Sequence, residues 1–355
     1  MTRPTASMLA AIENTTLLDD VFAEDPTTMS LESYLAERTS HEAGLFVLSG
    51  TMGNQIAVRS HLTQPPHSVL CDYRSHVLEW EAGGVATLSG ALVKGVVPSN
   101  GSYLTLDDVE KNVVLGDEIH SCPTKVISLE NTLFGMVMPL EEVRRISAFA
   151  RKHDIKMHLD GARIWEAVVA GAGSLPDFAK EFDSASLCFS KGLGAPIGSI
   201  LVGSEEFVKR SRWVRKSIGG GLRQAGVVTA AARVAVDETF GKGPNGEGGL
   251  LRPSHDRAKS IAKIWTDLGG KLQHPTETNM VWLDLEDAGV PSGKFAELGK
   301  AKGLRFLEGR LVVHYQVSDE AVSRLEELMK EILQNKEANG TNAKKRKVGD
   351  KVYGT

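Results

Sequence analysis

The chain lacks any apolar run approaching the ~20 residues of a membrane-spanning helix. It has only three cysteines, Cys71, Cys122 and Cys188, at no metal-ligand spacing, so free thiols in a reducing compartment are expected and no metal is. It also lacks a charge excess: a net charge of -4 gives no pull toward nucleic acid or anionic membranes. A secretory leader is not expected either, since the stretch Met1–Ala11 is short and interrupted by Pro4. Internal repeats and low-complexity blocks are absent. What is present, 41% hydrophobic and 24% charged residues with 36 glycines in 355, fits a soluble, cytoplasmic α/β enzyme. The length allows one large core plus a smaller domain.

The most telling stretch runs from Leu187 to Gly198. An apolar run short enough for a buried strand delivers Lys191 into a loop holding Gly192, Gly194, Pro196 and Gly198. A lysine is costly to bury unless it is paired or neutral, and a neutral amine is what imine chemistry requires. Glycines there let a rigid cofactor approach the backbone. Lys191 is thus a candidate imine-forming lysine, the alternative being a loop lysine that reaches solvent.

Earlier in the chain, Ser30 is expected to cap a helix through Glu37. Gly44–Leu48 reads as a strand that enters Ser49-Gly50-Thr51-Met52-Gly53-Asn54, with a helix expected from Gln55 to Leu62. Gly50 and Thr51 suit either an anion at a helix start or a plain capping turn. Strands are expected at Ser68–Asp72, Val126–Thr132, Lys156–Asp160 and Ser199–Gly203, and an amphipathic helix at Pro139–His153. His76, at an expected helix start, would stack on a planar cofactor or lie on a surface loop. Asp160 and Arg163, just past a strand, would project toward one ligand or serve as a cap and a surface charge. Lys216 and Arg223 flank Gly219-Gly220-Gly221, a basic loop suited to a phosphate or a flexible linker.

A helix is expected from Ala225 to Phe240, then a hinge, then a small domain with strands at Met280–Leu285 and Leu311–Tyr315. Arg310 leads the last strand, where it would either clasp a carboxylate or be solvated. The expected organisation is an N-terminal segment 1–30, a large domain 31–245, a small domain 250–332 and a disordered tail 335–355. The tail carries Lys344-Lys345-Arg346-Lys347, a run that reads as a nuclear-entry signal or as solvated charge.

Taken in order, these pieces closely resemble the threonine aldolase family of pyridoxal 5'-phosphate (PLP) enzymes. The residues that carry the resemblance are Ser49 to Asn54, His76 with Glu81-Ala82-Gly83-Gly84, and Ser128-Leu129-Glu130-Asn131-Thr132. His158 to Arg163, Ser190 to Pro196 and Gly219 to Gln224 complete the set. The resemblance runs from about Thr2 to Lys330. It implies an α/β PLP-dependent fold type I, the aspartate aminotransferase-like fold, with a mixed, mostly parallel sheet and a smaller C-terminal α/β domain.

By that resemblance, Lys191 would hold the cofactor covalently, His76 would stack on its ring, Asp160 would keep its nitrogen protonated and Arg163 would bind its phenolic oxygen. Gly50, Thr51, Arg223 and Lys216 would bind its phosphate. Arg310 would grip the carboxylate of an amino-acid substrate. The glycine-rich loop implies a homodimer or homotetramer with shared sites. The activity implied is retro-aldol cleavage of L-threonine or L-allo-threonine to glycine and acetaldehyde, in glycine biosynthesis and threonine catabolism.

Two departures bear on that activity. Family members usually carry a serine just before the segment matching Thr2-Arg3-Pro4-Thr5, and this sequence begins at Met1, so either its N-terminus is short or carboxylate binding is altered. Many also have a histidine where Leu133 stands, and that histidine can bond the β-hydroxyl. Its loss suits a substrate without a hydroxyl, so an alanine racemase-like isomerase on the same scaffold is the second reading. A non-catalytic nuclear protein using the basic tail is the third, weakened by the presence of Lys191, Asp160, Arg163 and Arg223 together.

Overall fold

The computed structural model describes residues 1–116, 118–243 and 247–339. The basic run at Lys344–Lys347 lies outside them. Nine strands occur among the described residues: β1 (Ala43–Val47), β2 (Ser68–Asp72), β3 (Leu92–Val96), β4 (Thr124–Glu130), β5 (Lys156–Gly161), β6 (Ser184–Cys188), β7 (Ser199–Gly203), β8 (Met280–Trp282) and β9 (Arg310–Val312). The first seven form one sheet in the order β1-β7-β6-β5-β4-β2-β3. Strands β6, β5, β4, β2 and β3 run parallel, and β7 lies antiparallel to both β6 and β1. The sheet is therefore mixed and mostly parallel, as the resemblance implied.

Every residue of β2, β6 and β7 is buried. Strands covered on both faces need continuous apolar or small side chains, which these sequences supply except at Asp72, whose carboxylate pairs with Arg74 at 2.8 Å. The helix Leu140–Lys152 forms where expected and buries Val143, Ile146 and Ala150, with acidic residues in its first turn and basic ones in its last. Glutamates at one end and Arg151 and Lys152 at the other complement the helix dipole.

The chain divides into two units. The first comprises Met1–Ala258, Thr276–Met280 and Val313–Gln316, and it holds the seven-stranded sheet. The second comprises Lys259–Pro275, Val281–Val312 and the chain from Val317. Its two-stranded sheet pairs β8 with β9, and Trp265, Phe295, Leu328 and Met329 are fully buried in it.

Expected element boundaries are corrected at three helices, and three strands shift by two residues or more: Val126–Thr132 is Thr124–Glu130, Met280–Leu285 is Met280–Trp282 and Leu311–Tyr315 is Arg310–Val312. The helix expected from Ser30 begins instead at Pro26, because the Asp25 side chain accepts the Thr28 N–H at 3.0 Å and proline suits the first helical position. The stretch Gly50–Asn54 is not a turn before a helix. It is the first turn of the helix Gly50–His61, capped by Ser49, whose hydroxyl accepts from the Met52 N–H at 3.1 Å. The helix expected over Ala225–Phe240 is α-helical only at Gly226–Ala235 and widens into a π-helical turn over Val236–Phe240.

Candidate active site

In an open α/β sheet, ligands bind outside the carboxyl ends of the strands. Here five strands pointing the same way lead into the singled-out residues. After β1 comes the helix Gly50–His61, after β2 comes His76, and β4 ends at Glu130. Next, β5 ends in Asp160 and Gly161 just before Arg163, and β6 runs out at Cys188, three residues before Lys191. Sequence positions more than a hundred residues apart therefore meet along one edge.

Asp160 is buried. Its Oδ2 accepts a hydrogen from Asn54 Nδ2 at 2.7 Å and its Oδ1 accepts the Ala162 N–H at 3.0 Å. Among the described residues no cationic side chain forms an ion pair with it. His76 opens a short helix, His76–Glu79, and its backbone N–H donates to Glu130 Oε2 at 2.9 Å. Its Nδ1 lies 2.8 Å from Glu81 Oε1. A carboxylate only accepts, so Nδ1 carries the hydrogen and the neutral ring presents Nε2 as an acceptor. The hydrogen bond to Glu81 holds the His76 pKa above its ordinary value, against partial burial.

Glu81 is itself buried and takes further hydrogens from Asn54 Nδ2 at 2.8 Å and Gln55 Nε2 at 2.5 Å. Ligating atoms of His76, Glu81 and Asp160 lie within 4.8 Å of one another, and Asn54 fills the gap between the two carboxylates with N–H groups. Burial, helped by the nearby Asp160 charge, pushes Glu130 up to about 8.

Lys191 is half-buried, and its carbonyl accepts the Thr2 hydroxyl at 3.0 Å, which seats the N-terminal residues on the lysine loop. Arg163 is likewise half-buried, and its guanidinium makes no hydrogen bond or ion pair among the described residues. Burial draws its pKa below the usual guanidinium range, partly offset by Glu166. An anion arriving there would relieve that cost.

At the start of the helix Gly50–His61, the N–H groups of Gly50 and Thr51 have no acceptor within the helix, and the positive end of the helix dipole adds to their pull on an anion. The Gly219–Gly221 loop packs against this first turn: a Cβ at Gly220 would stand 3.1 Å from Met52 Cε. Lys216 folds over the same loop, its Nζ 3.1 Å from where a Gly221 Cβ would be. Arg223 is exposed and pairs with Asp19 at 3.1 Å. Arg310 belongs to the second unit, where its guanidinium lies 5.8 Å from the centre of the Trp282 ring. Leu133 is buried, at 6% exposure, so it presents no polar group in place of a histidine.

This donor set fits PLP: half-buried Lys191, a buried carboxylate at Asp160 and a guanidinium at Arg163 that have no charged partner among the described residues, and open N–H groups at Gly50 and Thr51. Asn54, Glu81, Glu130 and His158 stand within the sequence motifs, but nothing local to them assigns them a role. The available signals are spacings: Asn54 stands one helical turn after Gly50, and His158 and Asp160 share one face of β5.

Comparison with known proteins gives a consistent picture. Residues 1–288 match the family model described as beta-eliminating lyase. The chain is 61% identical over 333 residues to aldolase vrtJ of Penicillium aethiopicum, covering 94% of this chain and 84% of that one. It is 47% identical to a low-specificity L-threonine aldolase of Candida albicans, covering 94% and 88%. It is also 44% identical to the alanine racemase TOXG of Cochliobolus carbonum, covering 94% and 86%. A solved structure of a putative L-allo-threonine aldolase from Listeria monocytogenes superposes with a TM-score of 0.75 at 21% identity, covering 94% of each chain.

Proposed function

The chain belongs to the threonine aldolase family of beta-eliminating lyases, which are PLP-dependent enzymes, and we propose that it cleaves L-threonine and L-allo-threonine to glycine and acetaldehyde. When bound, PLP supplies an electron sink for the bond broken at the substrate Cα. The roles we assign to side chains follow from what each can donate or accept. Lys191 would hold the cofactor through its amine, and the Asp160 carboxylate would accept the hydrogen of the ring nitrogen. Arg163 would meet the phenolic oxygen. The Gly50 and Thr51 N–H groups, with Lys216 and Arg223, would meet the phosphate.

His76 is the candidate base. With Nδ1–H committed to Glu81, its Nε2 is the atom that would take the β-hydroxyl proton, directly or through a water. Arg310 would bind the substrate carboxylate as a bidentate pair, which orients the bond to be broken. The observation that carries the reading is the gathering, at one sheet edge beside Lys191, of Arg163 without a partner and buried Asp160 without a cation among the described residues. Exposed Leu17, Leu18 and Phe22 flank Asp19, the partner of Arg223. Apolar residues exposed beside a basic loop suit a second copy of the chain, so a homodimer or homotetramer is part of the proposal. So is a cytoplasmic role in making glycine from threonine.

A second reading, alanine racemisation, draws support from the racemase relative at 44% identity and from the buried Leu133. One product analysis decides between the two. PLP-loaded protein given L-threonine, L-allo-threonine and L-alanine in turn should release acetaldehyde and glycine from the first two and leave L-alanine unracemised. D-alanine without acetaldehyde would replace the aldolase by the racemase.

A further inference from the structure

Behind Asp160 the hydrogen-bond donors can be followed one by one. Glu81 Oε1 and Asp160 Oδ2 are acceptors, so the Asn54 amide nitrogen must face them, and both its hydrogens are used, at 2.8 and 2.7 Å. The Asn54 Oδ1 then faces His158 Nε2 at 3.1 Å, so that ring nitrogen carries a hydrogen. His158 is fully buried, and burial lowers its pKa to about 4, so the ring is neutral and Nδ1 is bare. Nδ1 lies 2.9 Å from the Ser184 hydroxyl, which must donate to it. The Ser184 oxygen is left to accept from His61 Nε2 at 2.7 Å. Burial lowers the His61 pKa to about 3, so it too is neutral.

The backbone makes this chain possible. His158 on β5 and Ser184 on β6 are register partners, and Asp160 stands two residues beyond His158 on the same face. His61 ends the helix that carries Asn54, and it lines a cavity of about 750 Å³ with Lys156, Asp183 and Arg210. Nothing in Asn54 can pass a proton on readily, since an amide oxygen is a poor base. The chain fixes direction and does not conduct protons.

We propose that Asn54 and His158 are positioning residues for Asp160: the one-way series His61 to Ser184 to His158 to Asn54 aims both amide hydrogens at Asp160 and Glu81. It thereby holds the two carboxylates apart and leaves the free lone pairs of Asp160 turned toward the cofactor nitrogen. The inference rests on the proposed role of Asp160, and it assigns His158 one tautomer, Nε2–H.

The direct test is ¹⁵N NMR of histidine-labelled PLP-loaded protein, and of the same protein without PLP. His158 should show the Nε2–H tautomer in both and should not titrate between pH 5.5 and 9. The Nδ1–H tautomer, or titration near the ordinary histidine value, would overturn the proposal. Variants supply the second arm. His158→Leu should lower kcat about tenfold or more with little change in KM, and shift the pH dependence of the bound-cofactor absorbance. His158→Gln keeps a donor toward Asn54 and should restore both. If His158→Leu behaves as wild type while Asp160→Asn alters the absorbance, the positioning role is wrong. If Asp160→Asn leaves the absorbance unchanged, the role of Asp160 falls, and this proposal with it.

Discussion

Glu130 and Asp160 are register partners at the ends of β4 and β5, and the Asp160 charge adds to burial in disfavouring an ionised Glu130. An unfolded glutamate ionises near 4.5, whereas in the fold Glu130 holds its proton up to about 8. Between those values the native state binds more protons than the unfolded chain, so stability falls as pH rises through the window. Glu130→Gln keeps an oxygen to accept the His76 N–H and removes the titration. Its Tm should lie close to that of the wild type at pH 4.5 and exceed it by a growing margin up to pH 8. A Tm difference that stays constant across that range would show that Glu130 ionises normally. Such partners were not legible in the sequence. Lys191, Asp160 and Arg163 announce themselves by motif, but what Asn54 or His158 touches depends on neighbours over a hundred residues away.

The helix Gly50–His61 is the element on which the site depends, since it carries both the open N–H groups and Asn54. It lies close to the sheet because Gly53 has no side chain: a Cβ there would stand 2.4 Å from Ser186 Oγ and 3.2 Å from Ser186 Cβ. Gly53→Ala gains helix propensity worth ~1 kcal/mol but overpacks that contact, which typically costs ~1–3 kcal/mol. The expected outcome in urea denaturation is a net loss of about 1 kcal/mol, with weaker PLP binding as the helix lifts. A variant as stable as the wild type and equally tight for PLP would show that the contact is loose. The sequence alone suggests a start at Gln55, because two glycines in five residues look like a turn. The capping Ser49 hydroxyl outweighs that local preference. The π-helical turn at Val236–Phe240 left no local signal, since its residues are ordinary helix formers packed by tertiary contacts.

At the scale of the whole molecule, most strands were legible as short apolar runs, and their order was not. Nothing in Ser199–Gly203 says that β7 turns back antiparallel and inserts between β6 and β1. That insertion puts β1 in the same direction as β6, so the helix after β1 opens toward the same edge as Lys191. Sheet order is a property of packing between distant segments, which periodicity along the chain does not encode. The family resemblance supplied what periodicity lacked, and the comparisons bear out the family, the fold type and the cofactor. The proposed PLP site at this edge is built around Lys191. Borohydride reduction of the PLP-loaded protein, followed by peptide mass mapping, tests it directly. A single pyridoxyl group on the peptide containing Lys191 is expected. A label on Lys216 or another lysine, or no label on protein that has taken up PLP, would contradict it.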